Sequence, residues 1–470
     1  MSLGTTILNN LPEVKGPIQK KLAFKDKLMW TLIILVAFYL LSRIPLYGLG
    51  QNGLQNFESM AVIFGATFGS IMSLGIGPIV TASIVLQLLN GSGLMKFDLT
   101  TADGKKTFQG LQKIMAIFFI IFEASIYVFM GGLAPAATLA PGAFRAMEIV
   151  LISQLILGGL MVLLMDEVIN KWGFGSGISL FILAGVAHTL FTGLFSPLTS
   201  TGSIFSFADG EAPIGKIWVL LVSVFRGQLE GFGMAFGIIL ATLVVFAFST
   251  YAQAMKVEIP LSFGRIRGHG IRWPLAFLYT SNIPVILIAA LNANIQLFAR
   301  LLEKSGHAWL GTFSGQGAPA SGVILWLTSP QLLTDLFAGS FQWISLAHAL
   351  TYITFIVVGS IIFSVFWVQT SGMNAESQAK NIMASGLQVP GFRRDPRVLE
   401  RILERYIFPL TIMGGALIGV LASVADILGA LSRGTGILLA VMIAYKLYEQ
   451  IAKQHMMDMY PAMRKFFGGE

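Results

Sequence analysis

The sequence predicts an all-α polytopic membrane protein: ten transmembrane helices in two inverted five-helix halves, with one further short helix that does not cross. Three observations predict it. Hydrophobic residues make up 55% of the 470-residue chain and charged residues only 11%. Soluble domains average about 25% charged residues, so this chain cannot clothe itself in a water-facing surface. Apolar runs of the ~20 residues that a bilayer requires recur ten times, and the basic residues gather on alternate connections between them.

The first 26 residues are mostly polar and carry several lysines. A patchily amphipathic stretch there (Ile7, Leu8, Leu11, Val14, Ile18, Leu22) is broken by Pro12 and Pro17. No short apolar core with a small-residue cleavage site follows, so the segment is expected to lie on the membrane surface rather than be removed. Span one occupies 27–47. The next apolar stretch, 57–74, contains Glu58, Gly65 and Gly69 and reads as the short helix that stays on one side. Span two, 74–91, opens on Gly75, Gly77 and Pro78, residues poorly suited to continuing a helix. Broken helices survive in a bilayer only beside protein or a water-filled cavity, which places this break in the interior.

Spans three and four, 112–133 and 146–168, carry Glu123 and Glu148. Span five, 175–195, begins with GSGISL, and span six is 232–252. Span seven, 274–299, holds NIPVILIAALNANIQL, with a proline near its start and a glutamine near its end, as in span two. Spans eight and nine are 343–369 and 406–426. Span ten, 432–452, begins with GTGILL, which resembles the start of span five. These two likenesses pair spans two and five with spans seven and ten. Five spans per half is an odd number, so the halves have opposite orientation, and inverted-repeat folds place the working site near the midplane between them. The chain thus divides into a cytoplasmic segment 1–26, a first half 27–230, a second half 231–452 and a cytoplasmic tail 453–470.

Charge sets the orientation. With the N-terminus inside, the inner segments hold 24 of the 31 basic residues. That split satisfies the positive-inside rule with both termini in the cytoplasm. One span more or fewer would scramble it.

Several functional classes are excluded. There are no cysteines, hence no disulfide, thiolate nucleophile or cysteine-held metal. The five histidines are scattered, no G-x-S-x-G elbow occurs, and no G-x-x-x-x-G-K-[ST] loop offers a nucleotide site. The reading is of a protein that is not an enzyme and holds no cofactor. A coupled transporter binds its ion or proton at intramembrane carboxylates, and only Glu123 reads as deeply placed. It is either a functional acid or a hydrogen-bonded packing group. Ile76 and Val80 share one helix face, as do Ile178 and Ile182. Such pairs face lipid, pack against neighbours or line a pore sealed by dewetting. The loops EIPLSFGRIRGHGIRWP and VPGFRRDPRVLERILER present Arg265, Arg267, Arg393 and Arg394. These charges either set topology alone or bind phosphate, for which arginine is well suited.

Taken together, LPEVK and AFKDKLMWT, LGIGPIVTASIVLQLL, GFGSGISLFILAGV, EIPLSFGRIRG, YTSNIPVILIAALNANIQ, SGLQVPGFRRDPR and RGTGILLA with YEQ resemble the SecY family, the large subunit of the protein-conducting Sec channel. The loops look closest to archaeal members. The resemblance covers nearly the whole chain and implies two clam-like halves around an hourglass pore. It makes the short helix, roughly 57–68, a plug that carries Phe57, Met60, Ile63, Phe64 and Phe68. It implies a pore ring of Ile76, Val80, Ile178, Ile182, Ile286 and Leu439, with Ile283, one turn before Ile286, the competing choice in span seven. It implies a polar cluster of Thr81, Glu123 and Asn294 at a lateral gate between spans two and three and spans seven and eight. The implied function is a passive gated channel that moves unfolded polypeptides across the cell membrane and releases apolar segments into lipid. The implied partners are SecE-type and Sec-beta-type small membrane subunits, signal sequences and nascent polypeptides, membrane lipid, and a translating ribosome docked on the four loop arginines. The alternative is a secondary transporter of a small solute built on the same inverted repeat.

Overall fold

The computed structural model describes residues 12–18, 22–52, 64–91, 94–95, 97, 101–199, 203–205, 212–263, 270–280, 282–314, 318–337, 339–384, 387–388, 396–432 and 434–459. The first half runs α1 (Phe24–Leu41), β1 (Leu49–Asn52), α2 (Gly77–Gly91), α3 (Ala102–Phe129), β2 (Leu133–Pro135), α4 (Pro141–Trp172) and α5 (Gly177–Phe195). A short α6 (Lys216–Arg226) leads into α7 (Leu229–Ala254), β3 (Lys256–Phe263), β4 (Gly270–Ala276) and α8 (Ile283–Lys304). The remainder is α9 (Val323–Trp326), α10 (Leu332–Phe337), α11 (Ile344–Thr370), α12 (Ala375–Ala384), β5 (Leu387–Gln388), α13 (Pro396–Ile427) and α14 (Gly434–Met459).

The ten expected spans are α1 to α5, α7, α8, α11, α13 and α14. Among the described residues, eight helices are long and apolar enough to cross a bilayer by themselves. The other two crossings are α1, whose 18 residues carry Lys25, Asp26 and Lys27 in the first turn, and α2, with only 15 residues. A short crossing is tolerable for α2 because it is covered by protein: α3, α8 and α11 pack around it. Of the expected short helix 57–68, only the end from Phe64 is described.

Three boundaries differ from the sequence reading. Span seven starts at Ile283, not 274, because Gly270–Ala276 forms a strand paired antiparallel with β3, with Ile259 opposite Trp273. Pro284 then sits in the first helical turn, where a missing N–H costs nothing. Helices α3 and α13 begin well before their apolar runs, at Ala102 and Pro396. Hydropathy sees only the part of a helix that lipid sees. The amphipathic α6 was not anticipated at all.

The core lies between the halves. Helix α8 buries most of its apolar length, whereas α7 buries the least of the long spans and turns Phe236, Leu240, Leu243 and Phe248 outward. Beyond the membrane helices, β5 adds to the β3–β4 hairpin, pairing Ser262 with Gln388 and Phe263 with Leu387. One small sheet therefore carries the starts of both arginine-bearing loops. Their tips, with Arg265, Arg267, Arg393 and Arg394, lie outside the described residues.

The segment before α1 is tied down as a strap. The Val14 N–H donates to Glu167 Oε2 at 3.1 Å, Trp172 Nε1 donates to the Lys15 carbonyl at 2.9 Å, and Lys171 Nζ contacts Glu13 Oε1 at 2.5 Å. Lys113 bridges to Glu167 at 2.8 Å, which holds that acceptor in place. The Lys171 ammonium keeps the Glu13 carboxyl below its usual range, so this tie is complete at neutral pH and is lost as pH falls through that lowered value. Glu167→Ala removes an acceptor worth about 1 kcal/mol. Limited proteolysis of the N-terminal segment should then run roughly fivefold faster, and an unchanged rate would mean that the strap holds without Glu167.

Candidate functional site

The expected ring residues come from the starts of four helices. Ile76 is the residue before α2 and Val80 lies in its first turn. Ile178 and Ile182 occupy the first two turns of α5, Ile286 the first turn of α8, and Leu439 the second turn of α14. Ile76, Val80, Ile182, Ile286 and Leu439 are buried in one apolar cluster, and Ile178 packs against it half-buried. Ile283 also packs against this cluster, but less completely than Ile286. Helices from both halves thus bring branched side chains to one place. Such a cluster offers no donor or acceptor to water or ions, which is how an apolar constriction seals.

The break before span two is built from backbone. Gly75 has φ +53°, a conformation that L side chains rarely adopt. A Cβ there would overlap the carbonyl oxygen of Phe64. That carbonyl accepts the N–H of Ile76 at 2.8 Å, so Phe64 is bonded directly to one of the expected ring residues. Phe64 is 2% exposed and belongs to the same apolar cluster, with Phe68 half-buried against it. Phe57, Met60 and Ile63 lie outside the described residues.

Beside the apolar cluster runs a polar seam. Asn294 Nδ2 on α8 donates to Thr81 Oγ1 on α2 at 2.9 Å, and Thr81 Oγ1 lies 3.1 Å from Glu123 Oε1 on α3. The Thr81 hydroxyl is also 2.9 Å from the Gly77 carbonyl. The hydroxyl has one proton to give and accepts from Asn294, so it sits at the junction of the three groups. Glu123 is 1% exposed, and among the described residues its Oε2 has no hydrogen-bond partner. Gly77 lies beside it: a Cβ there would stand 3.4 Å from Glu123 Oε2 and 3.5 Å from the Phe64 ring, ordinary contact distances. The three polar residues therefore meet.

The same helices bury further amides, on other faces. Gln87, Asn292 and Gln296 are also buried. Gln87 Nε2 donates to Ser83 Oγ at 3.2 Å, Gln296 Nε2 to Asn292 Oδ1 at 3.2 Å, and Asn292 Nδ2 to the Leu327 carbonyl at 3.1 Å. The available signal was the presence of amides inside apolar spans, which bilayers disfavour without partners. Asp166 escaped notice because it sits at the edge of an apolar run, where a carboxylate raises no alarm.

A family model described as SecY matches residues 70–448, and one described as the plug domain of Sec61p matches residues 36–69. The second contains the expected plug, 57–68. The protein translocase subunit SecY of Pyrococcus furiosus is 39% identical over 464 residues, covering 97% of each chain. That of Methanothermobacter thermautotrophicus is 43% identical over 462 residues, again with 97% of each covered. A solved protein-conducting channel superposes with a TM-score of 0.82 at 37% identity, covering 99% of this chain and 100% of that one. Sec61 in the canine ribosome–channel complex from the endoplasmic reticulum gives 0.78 at 37% identity, with the same coverage.

Proposed function

This chain belongs to the SecY family and is a multi-span channel subunit of a protein translocase, and on that premise we propose how its residues gate the passage of polypeptide. The observation that carries the proposal is the joining of two features. Branched apolar residues from both halves share one buried cluster with Phe64, and a polar seam ties α8 to α2 and α3 along its side.

Ile76, Val80, Ile178, Ile182, Ile286 and Leu439 form a compliant gasket. It excludes water and ions yet makes no directional bond to a passing chain, which suits a channel that must accept any sequence. The segment ending at Phe64 and Phe68 is the plug, seated on the gasket by the backbone bond to Ile76. Thr81, Glu123 and Asn294 latch a lateral gate between α2 and α3 on one side and α8 and α11 on the other. An apolar signal sequence leaves through that gate because its burial in lipid is favourable by ~0.8 kcal/mol per CH₂.

The channel performs no catalysis of its own, and the driving energy comes from a partner. The Sec61 relative of known structure sits in a ribosome complex; here a translating ribosome docks on Arg265, Arg267, Arg393 and Arg394, whose charge suits RNA phosphates. SecE-type and Sec-beta-type subunits complete the assembly, in keeping with the family. The distribution of basic residues supports cytoplasmic termini, and the archaeal relatives support a plasma-membrane location.

Reconstitution in proteoliposomes tests the reading. Arrested nascent chains should crosslink to probes at Ile76 and Val80. A gradient-driven flux of a small solute without such crosslinks would point instead to a secondary transporter. For the docking loops, a double Arg393→Glu, Arg394→Glu substitution should weaken ribosome binding at low salt by about tenfold or more. The slope of log K against log salt should become shallower by roughly 2. Unchanged affinity and slope would leave these charges with a purely topogenic role.

A further inference from the structure

Two of the four ring helices begin against a carboxylate supplied by the preceding span. Asp166, near the end of α4, accepts the Ile178 N–H through Oδ1 at 2.9 Å. Its Oδ2 accepts from Asn170 Nδ2 at 3.0 Å. The approach is close enough to demand glycine at the first helical position, since a Cβ on Gly177 would lie 2.6 Å from both Asp166 Oδ1 and its Cα. In the other half, Asp426 near the end of α13 accepts the Thr435 N–H through Oδ1 at 2.9 Å. Its Oδ2 accepts the Tyr352 hydroxyl at 2.6 Å and also the Thr435 hydroxyl. A Cβ on Gly434 would overlap Ala425. Here too the first helical position must be glycine.

The correspondence extends to the ring. In each case the carboxylate takes the N–H of the second residue of the helix, Ile178 in α5 and Thr435 in α14. In each case a buried ring residue stands one turn further on, Ile182 and Leu439. Spans five and ten run in opposite directions because successive helices alternate, so the two carboxylates act from opposite faces of the membrane.

We infer that Asp166 and Asp426 are a matched pair of positioning residues that lock the start, and so the register, of the two ring helices to spans four and nine. This rests on the ring reading above. A helix start left without its acceptor has unsatisfied N–H groups and is free to shift or fray by part of a turn. A shift at Ile178 or Thr435 displaces the side chain one turn on and opens the gasket. The seal is thereby anchored to two outer spans and does not depend on apolar contact alone.

Planar-bilayer conductance without substrate tests this on the full complex. Asp166→Ala and Asp426→Ala should conduct at several times the wild-type background. Asp166→Asn, which keeps an acceptor at Oδ1, should restore most of the seal, a rescue that simple loss of folding would not show. Tyr352→Phe, a change too mild to prevent folding, removes one donor from Asp426 and should raise the leak in the same direction by a smaller factor. Ile182→Gly serves as the reference for an opened ring. If Ile182→Gly leaks while the aspartate variants and Tyr352→Phe seal like the wild type, the positioning role is overturned and the ring stands. If Ile182→Gly also seals, the ring reading falls, and the positioning role with it.

Discussion

An Ile182→Gly channel is expected to pass ions in the absence of any substrate, and the wild-type chain to hold a seal. Ile182 is fully buried in the apolar cluster shared by Ile76, Val80, Ile286 and Leu439. Removing its side chain deletes a whole branched group from a close-packed site. Truncations of buried Ile to Ala typically cost 2–5 kcal/mol, rising with the cavity that remains, and glycine in a helix adds about 1 kcal/mol. At an ordinary core position that cost appears as lost stability. At a constriction, water can enter the void, and the loss appears as conductance. Ile286→Gly is expected to act in the same way from α8. Ile182→Val, which keeps β-branching and most of the volume, should stay near the wild-type background. If single-channel recordings show both glycine variants sealed, these residues pack the helices without closing a pore.

The second large effect is expected at the seam. Thr81→Val removes the hydroxyl that receives Asn294 and reaches Glu123, and so breaks the link between α8 and α2 in an isosteric way. Interhelical hydrogen bonds in membranes average ~0.6 kcal/mol and reach ~1.7. The gate equilibrium should therefore shift toward open by roughly three- to twentyfold. The readout is the apolarity a segment needs in order to leave sideways. The variant should release segments that the wild type carries across, and Asn294→Ala should do the same. Glu123→Gln keeps an oxygen in reach of Thr81 and should change the threshold little. An unaltered threshold in both Thr81→Val and Asn294→Ala would reduce the seam to packing.

Much of this architecture was legible from residues alone, and the misses have physical causes. The interruption at Gly75, Gly77 and Pro78 was visible because such residues are unfavourable inside a helix unless the backbone must bend or approach closely, and Gly75 does both. The start of span seven was placed too early because Ile271, Trp273 and Leu275 look apolar whether they enter lipid or pair as a strand. Ile76 with Val80 and Ile178 with Ile182 appeared only as shared helix faces, which carried no sign of where those faces point. Asp166 and Asp426 gave no hint of a shared task, since each acts on a helix start that lies beyond a turn.

Each residue's transfer free energy between water and lipid is local, so the sequence by itself determined the membrane class and the ten crossings. The glycines at helix starts are visible in the sequence, but what requires them is tertiary: Gly177 lies against Asp166 and Gly434 against Ala425, each on the preceding span. Tertiary structure alone decided which faces meet. Thr81 and Asn294 bond across 213 positions of chain, and the apolar cluster draws on helices from both halves. Close packing between distant segments depends on shape in three dimensions, and one-dimensional periodicity does not carry it.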